Sequence, residues 1–329
     1  MSWLAQLEKD LKGKPLSSLD WEVEPGISLK PFYTRGDSVP PTLPIPNESA
    51  GGNAWRICER LDATEAAAAN AQALDALSSG ADMLWLDLPK GASGGHLERL
   101  LREIHLSYIF TVFHTEDVTG IATLLPDQSE PFEGIFVPRE GNAALWSDGR
   151  PGIFLDGRHL GAQAPSVQLG TLLAAARKSI QTWQGEGRAE NLPESTLVAF
   201  SVGDHYLVEI GKLRAFKALW LRLMREAGLP ERLPHLHVET TNAHEDPHTN
   251  MVAAATQALS AVTAGTHSLS VRPANNGSDA FHRRIARNVQ HLLQLESGLD
   301  RVADPAAGSY FLEKLTEELA QRAWTGAQG

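Results

Sequence analysis

The densest run of chemistry-bearing residues is HLHVETTNAHEDPH, residues 235–248. His235 and His237 are two apart in a β-branched, apolar setting, so on a strand their side chains share one face, and Glu239 follows on that face. A His/His/Glu set is a plausible zinc or hard-metal constellation and makes a metallohydrolase one reading; polar residues hydrogen-bonded within a closed fold are the other. Arg283 and Arg287 in FHRRIARN lie four apart on one helical face, where they could meet a phosphate or bridge to neighbouring carboxylates. GASGG (91–95) opens a helix whose free N–H groups could hold an anion, but the chain has neither a P-loop nor a G-x-S-x-G elbow. Cys58, the one cysteine, sits in an apolar run and reads as a buried structural thiol.

These residues must be held by something, and the chain shows a clear rhythm from residue 54 onward. Short apolar or β-branched runs at 54–61, 82–88, 108–114, 134–137, 152–156, 196–202, 235–239 and 267–272 alternate with helical patterns, the clearest at 64–79, 166–184, 205–227, 247–264 and 279–297. Asp62 and Thr64 are candidate caps of the first helix, Ser278 and Asp279 of the last. Eight alternating units predict an α/β protein of (β/α)8 TIM-barrel form, although the fourth unit is short and irregular over 138–150. A further helix over 309–324 follows the eighth unit. Residues 1–53 read as a helix and an extended Pro/Gly/Ser/Asn-rich arm (VPPTLPIPNESAGGN), and 54–329 as the barrel with its C-terminal helix. In such a barrel the active face lies at the C-terminal strand ends, which selects Asp87, His114, Asp156 to His159, Asp204, His205, Glu239 to Asn242 and Arg272 to Asn276.

The bulk numbers exclude other classes. With 329 residues, 42% hydrophobic and 21% charged, the chain is an ordinary globular one. Its net charge of −11 gives no footprint for nucleic acid or anionic membranes. The amphipathic, charged N-terminus lacks the apolar core of a signal peptide, no eighteen-residue apolar run occurs, and a single cysteine allows no internal disulfide, so a cytoplasmic protein is expected.

The last third carries a resemblance. SDAFHRRIARNVQHLLQLESGLDRVADPAAGSYFLEKLTEELAQRAW (278–324) resembles the methylmalonyl-CoA mutase pattern S/T-D-F-x-R-R-I-A-R-N-x-Q followed by E-S-x-L-D-x-V-x-D-P-x-G-G-S-Y-x-x-E. FSVGDHYLVEIGKLRAFKALWLRL (200–223) and EDPHTNMVAAATQALSAVTAGTHSLSV (245–271) resemble two further signatures, and LEKDLKGKPLSSLDWEVEPGISLKPFYT (7–34) looks like the opening of the family's small subunit. The resemblance implies a radical rearrangement of methylmalonyl-CoA to succinyl-CoA with adenosylcobalamin, in a barrel that threads CoA along its axis. It also implies a separate flavodoxin-like domain carrying the cobalamin-binding His of a D-x-H-x-x-G motif. In DGRHLG (156–161) His159 stands three residues after Asp156 rather than two, so that motif is not met, and the chain ends at Gly329 soon after the barrel.

Taken position by position, His159 matches the family's catalytic His, while Arg158 replaces the Tyr that abuts the substrate. Glu245 replaces a Gln before the D-P of the third signature, Arg272 and Asn276 replace an Asn and a Glu that contact the adenosyl group, and the CoA-contacting P-[YF]-x-R-G loop is absent unless Arg35-Gly36 is its remnant. A radical site tolerates little change in positioning, whereas a supporting subunit needs only the framework. The expectation is a small, non-catalytic subunit that pairs with a homologous large catalytic chain, its arm wrapping that partner, with His159 vestigial. Arg158, Asp204, His205, Glu245, Arg272 and Asn276 are pocket-lining candidates for an acyl-CoA, and adenosylcobalamin serves the complex rather than this chain alone. The alternatives are an active acyl-CoA-binding half whose cobalamin domain is a separate chain, and the metallohydrolase on His235, His237 and Glu239.

Overall fold

The structure, a computed structural model, describes residues 3–34, 37, 52–125, 130–277 and 279–327. Arg35-Gly36, Ser278 and most of the VPPTLPIPNESAGGN segment lie outside the described residues.

Helix α1 (Trp3–Asp10) leads into a hairpin of β1 (Trp21–Glu24) and β2 (Ile27–Leu29), turned at Gly26. The hairpin occupies part of the stretch expected to be an extended arm, and it lies on the chain's own body. Ile27 and Leu29 join the main core, and buried Glu24 accepts a hydrogen bond from the Ser166 N–H at 3.0 Å.

The body is a closed barrel of β3 (Arg56–Asp62), β4 (Met83–Asp87), β5 (Phe110–Thr115), β6 (Glu133–Pro138), β7 (Ala143–Trp146), β8 (Pro151–Asp156), β9 (Thr196–Val202), β10 (His235–Thr240) and β11 (Ser268–Ser270), with β11 closing on β3. All eight expected strand positions are occupied, but the expected eight-stranded (β/α)8 TIM barrel is corrected: the ring has nine strands. The irregular fourth unit supplies the extra one. After β6 the chain reverses through Gly141 (φ +85°), runs back as AALW, and reverses again through Gly149 (φ +83°), both left-handed positions that glycine tolerates. β7 therefore pairs antiparallel with both β6 and β8, while the other neighbours pair in parallel. A four-residue strand without apolar–polar alternation leaves no periodic signal, which is why the rhythm of the sequence passes over it.

The helices are α2 (Ala66–Ser78), α3 (Gly94–Leu100), α4 (Val118–Leu124), α5 (Pro165–Gly185), α6 (Tyr206–Glu226), α7 (Pro247–Thr263), α8 (Ala280–His291) and α9 (Tyr310–Gly326). Asp117, Asp246 and Asp279 accept hydrogen bonds from the first-turn N–H groups of α4, α7 and α8, and Ser93, in the GASGG stretch, does so for α3. Asp62 instead bonds the N–H and hydroxyl of Thr64 ahead of α2, so neither residue caps that helix.

Alternation divides each strand between two cores. Outward residues such as Leu84, Leu86, Phe113 and Phe136 meet α2 to α4, and Val198, Phe200, Leu236 and Leu269 meet α5 to α7 and α9. Inward residues, among them Cys58, Met83, Trp85, Phe110, Val112, Ile135, Phe154 and Leu197, form a separate cluster that fills the axis. Burial pushes the Cys58 thiol up, as expected of an inert structural thiol.

The EIGKLRAFK stretch of α6 is buried around nearly its whole circumference, charges included. The Lys212 ammonium donates to Ser201 O at 3.0 Å and Gln168 Oε1 at 3.1 Å, Arg214 pairs with Asp304 and with Glu313 at 2.9 Å, and Lys217 donates to the carbonyls of Ala264 and Gly265. Each cation fastens α6 to a different neighbour. Gly211 permits a close approach of α9, because a Cβ there would lie 2.7 Å from Leu315 Cγ. A Gly211→Val variant is expected to lose about 1–3 kcal/mol of stability by overpacking, read as a lower urea midpoint at unchanged m-value.

Candidate functional site at the barrel mouth

The strand ends bring seven charged or ionisable side chains to the mouth of the barrel. β3 supplies Arg60, β4 Asp87, β5 His114, β8 Asp156 and β10 Glu239, while Arg158 and Arg272 follow β8 and β11. Each strand contribution is an inward position of the alternation. Glu239, 4% exposed, is the hub. Arg60 Nη1 lies 2.5 Å from its Oε2, Arg272 Nη2 and Nε donate to Oε1 at 2.7 and 3.1 Å, and Arg158 Nη1 stands 3.5 Å from Oε2. Arg60 also grips Asp87 (Nε to Oδ2, 2.7 Å), whose other oxygen meets His114 Nδ1 at 2.6 Å, and Arg158 forks onto Asp156 at 2.8 and 2.7 Å.

Burial raises the pKa of all three carboxyls, but their partners outweigh it: Arg60, Arg158 and Arg272 hold Glu239 below its usual range, His114 and Arg60 hold Asp87 well below, and Arg158 holds Asp156 down.

Beneath this lid lies Trp85, fully buried. The Arg158 guanidinium carbon is 4.4 Å from its ring centre, the His237 ring stacks on it at 4.8 Å, and Phe154 packs at 5.9 Å. Lower in the barrel His235 stacks on Phe110 at 5.1 Å, and His235 Nε2 and His237 Nδ1 both contact Ser268 Oγ at 2.9 Å. The axis is thus a column of rings under a layer of ion pairs. At the mouth a cavity of about 530 Å³ opens onto this layer, lined by Arg60, Asp87 and Glu239 together with Arg272, Asn276 and Arg283.

The predicted site residues divide. Arg158 and Arg272 meet at Glu239, and Asn276, at φ +59° and in contact with Asn242, stands with Arg272 on the cavity rim. Asp204 belongs to a different network, accepting from Gln257 Nε2 at 2.7 Å and meeting His244 Nε2 at 2.9 Å. His159 is exposed on the short turn 158–160, His205 is exposed at the start of α6, and Glu245 is exposed in the loop before α7. His235, His237 and Glu239 share a face as their spacing requires. However, Glu239 is engaged by arginines, and among the described residues no three His, Cys, Asp or Glu side chains are placed to hold a metal. Arg287 bridges Glu59 (3.2 Å) and Asp75 (2.8 Å), the bridging role rather than the phosphate one. Arg60 and Trp85 lie within strands rather than after them, outside the rule that picks residues following each strand; the Arg56, Cys58, Arg60 alternation is the signal that places Arg60 on the axis.

The family model described as methylmalonyl-CoA mutase matches residues 158–328, and this chain belongs to that family. It is 28% identical to the methylmalonyl-CoA mutase small subunit of Porphyromonas gingivalis, over 98% of this chain and 61% of that one. It is 28% identical to the small subunit of Streptomyces virginiae, over 96% and 59% respectively. A shorter stretch, 38% of this chain, is 42% identical to 19% of the methylmalonyl-CoA mutase of Rhizobium meliloti. The chain thus spans about three fifths of the length of the small-subunit relatives it matches.

Two predictions come from the mouth and axis. Glu239→Gln leaves three guanidiniums facing a neutral amide, and a loss of about 3–5 kcal/mol is expected by chemical denaturation, far above that of an exposed pair such as Arg222–Glu226. The ring column predicts acid sensitivity. Burial pushes His237 down to about 3 and His267, whose ring packs 5.5 Å from that of His235, to about 4, from 6.5 in the unfolded chain. Their folded values are depressed, so their contribution is fully present above pH 6.5 and is lost as pH falls from there toward 4, each at roughly 1.4 kcal/mol per pH unit. Unfolding free energies measured between pH 6 and 4 are expected to fall less steeply in His237→Gln, by one proton's worth of slope.

Proposed function

We propose that this chain is a small, non-catalytic subunit of an adenosylcobalamin-dependent methylmalonyl-CoA mutase, supporting a homologous catalytic chain in the cytoplasm while that chain interconverts methylmalonyl-CoA and succinyl-CoA. The observation that carries this reading is the filled axis. At the position where catalytic members of the family are expected to place a Tyr against substrate, Arg158 lies on Trp85 and is fastened to Asp156 and Glu239. An acyl-CoA entering along the axis would have to displace that guanidinium, separate it from two carboxylates and unstack Trp85 from His237. Buried, hydrogen-bonded ion pairs of this kind cost several kcal/mol to break singly.

The described residues do not fit the corrin cofactor either. His159, the one imidazole on the turn after Asp156, is exposed on a short turn rather than projecting from a shaped cleft, and the face above the barrel is occupied by the converging arginines. No step of the rearrangement is therefore assigned to this chain's side chains. Its contribution is a rigid barrel whose framework, from the cations of α6 to the FHRRIARN helix, keeps the family pattern. The two relatives named small subunits, each aligned over nearly all of this chain, support the same reading.

The test is direct. The purified chain, supplied with adenosylcobalamin and methylmalonyl-CoA, is expected to show no isomerisation above background, and calorimetric titration with methylmalonyl-CoA to millimolar concentration is expected to show no binding. Co-expression with a larger homologous mutase chain is expected to give a stable complex that turns over. Turnover or thioester binding by this chain alone would favour the active-half alternative and overturn the proposal.

A further inference from the structure

We propose that the outer wall of the barrel, beside β7, carries a binding site for a small molecule bearing both a phosphate group and hydroxyls. The site follows from the correction to the fold. In the other parallel steps a helix or longer connection covers the strand pair, but residues 139–150 spend themselves on β7 and its two turns. What remains between the β7–β8 hairpin and the second half of α5 is a cavity of about 460 Å³, within the range of small-molecule sites. It is on the barrel's outside and shares no lining residue with the mouth.

The charged side chains that line it are positive, one of them shared with Glu186 outside the lining. The ionisable groups that line it are Lys178 and Arg188, both cations, in a chain whose net charge is −11. Lys178 is exposed and forms no ion pair among the described residues. Arg188 is oriented rather than loose: its guanidinium carbon stands 4.5 Å over the Trp183 ring, and Glu186 takes one side of it. A planar fork and an exposed ammonium at one cavity are suited to the oxygens of a phosphate.

The remaining polar groups select the other half of the ligand. Ser179 and Thr182 donate their hydroxyl hydrogens to α5's own carbonyls, Ala175 O and Lys178 O, at 3.1 Å each. Their oxygens keep lone pairs as acceptors, and Asn142, whose amide nitrogen donates to Phe154 O at 3.2 Å and Gly141 O at 3.1 Å, adds its amide oxygen to the lining as a further acceptor. Cations for an anion and acceptors for donors describe a phosphorylated polyol, the chemistry shared by a sugar phosphate and by the ribose phosphate of a nucleotide.

Isothermal titration of the full chain with ribose 5-phosphate, ADP and inorganic phosphate separates these sources. Saturable binding of ribose 5-phosphate, ADP or both is expected, at least tenfold tighter than inorganic phosphate. It should weaken at least tenfold in a Lys178→Glu, Arg188→Gln double variant and in Ser179→Trp, which fills the cavity without altering charge. Arg272→Gln, at the mouth, should leave it unchanged. Both lining cations are exposed, so the double variant is expected to keep its melting temperature. Absence of saturable binding at millimolar ligand, inorganic phosphate binding as tightly as the sugar phosphate, or binding undiminished in either variant overturns the proposal. None of these outcomes bears on the subunit role proposed above, which is tested by turnover and by assembly with a larger chain.

Discussion

A carboxylate buried inside a protein is tolerated only where cations and hydrogen bonds replace the water it has lost. Glu239 meets that condition with three arginines drawn from three different places in the chain, one on β3, one after β8 and one after β11. These elements are remote in sequence, so the ion-pair layer joins opposite sides of the ring at the level where the strands end. Through Arg60 it extends to Asp87 and His114, and through Arg158 to Asp156 and the face of Trp85. The layer and the ring column below it depend on each other: the arginines shield the aromatic axis from water, and the axis supplies the low-dielectric floor that strengthens the pairing.

The chain carries a second set of buried charges with a different character. Lys212, Arg214 and Lys217 lie on the outer side of the barrel wall, on one helix, and each reaches a separate neighbour. They belong to a stretch that resembles the family signature closely, whereas the mouth holds the departures. A fold can keep its framework cations while its mouth is rebuilt because the two sets share no partner.

Much of the barrel was legible because parallel strands buried on both faces are written as apolar runs, and helices between them carry caps and periodicity. TLVAFSV is observed over the residues expected, 196–202. The ninth strand was not legible: AALW is too short to show a period, and two glycine turns resemble an ordinary loop. The site was legible by position and not by role. That Asp87, His114, Asp156, Glu239 and Arg272 gather at one end follows from the barrel rule, but which of them pair depends on the stagger between strands, which no local pattern encodes. Glu239 shows the difference. Its spacing from His237 is equally good for a metal and for an arginine cluster, and only the arginines it meets, Arg60, Arg158 and Arg272, decide between them.

Closure of the ring between β3 and β11 also constrains how the chain comes to be folded. The partners Cys58 and Ser270 are separated by about two hundred residues, so one edge of β3 has no neighbour until almost the whole barrel exists. At ribosomal rates of roughly 5–20 residues per second, that edge waits some 10–40 s during synthesis. For that interval the growing chain is an open sheet whose terminal strand exposes backbone donors and acceptors to any other strand within reach. Loop-closure entropy makes such a late, long-range contact slow to form even once β11 is available. The same seam that gives the finished ring no free edge makes its assembly intermediate a target for chaperones and for mispairing.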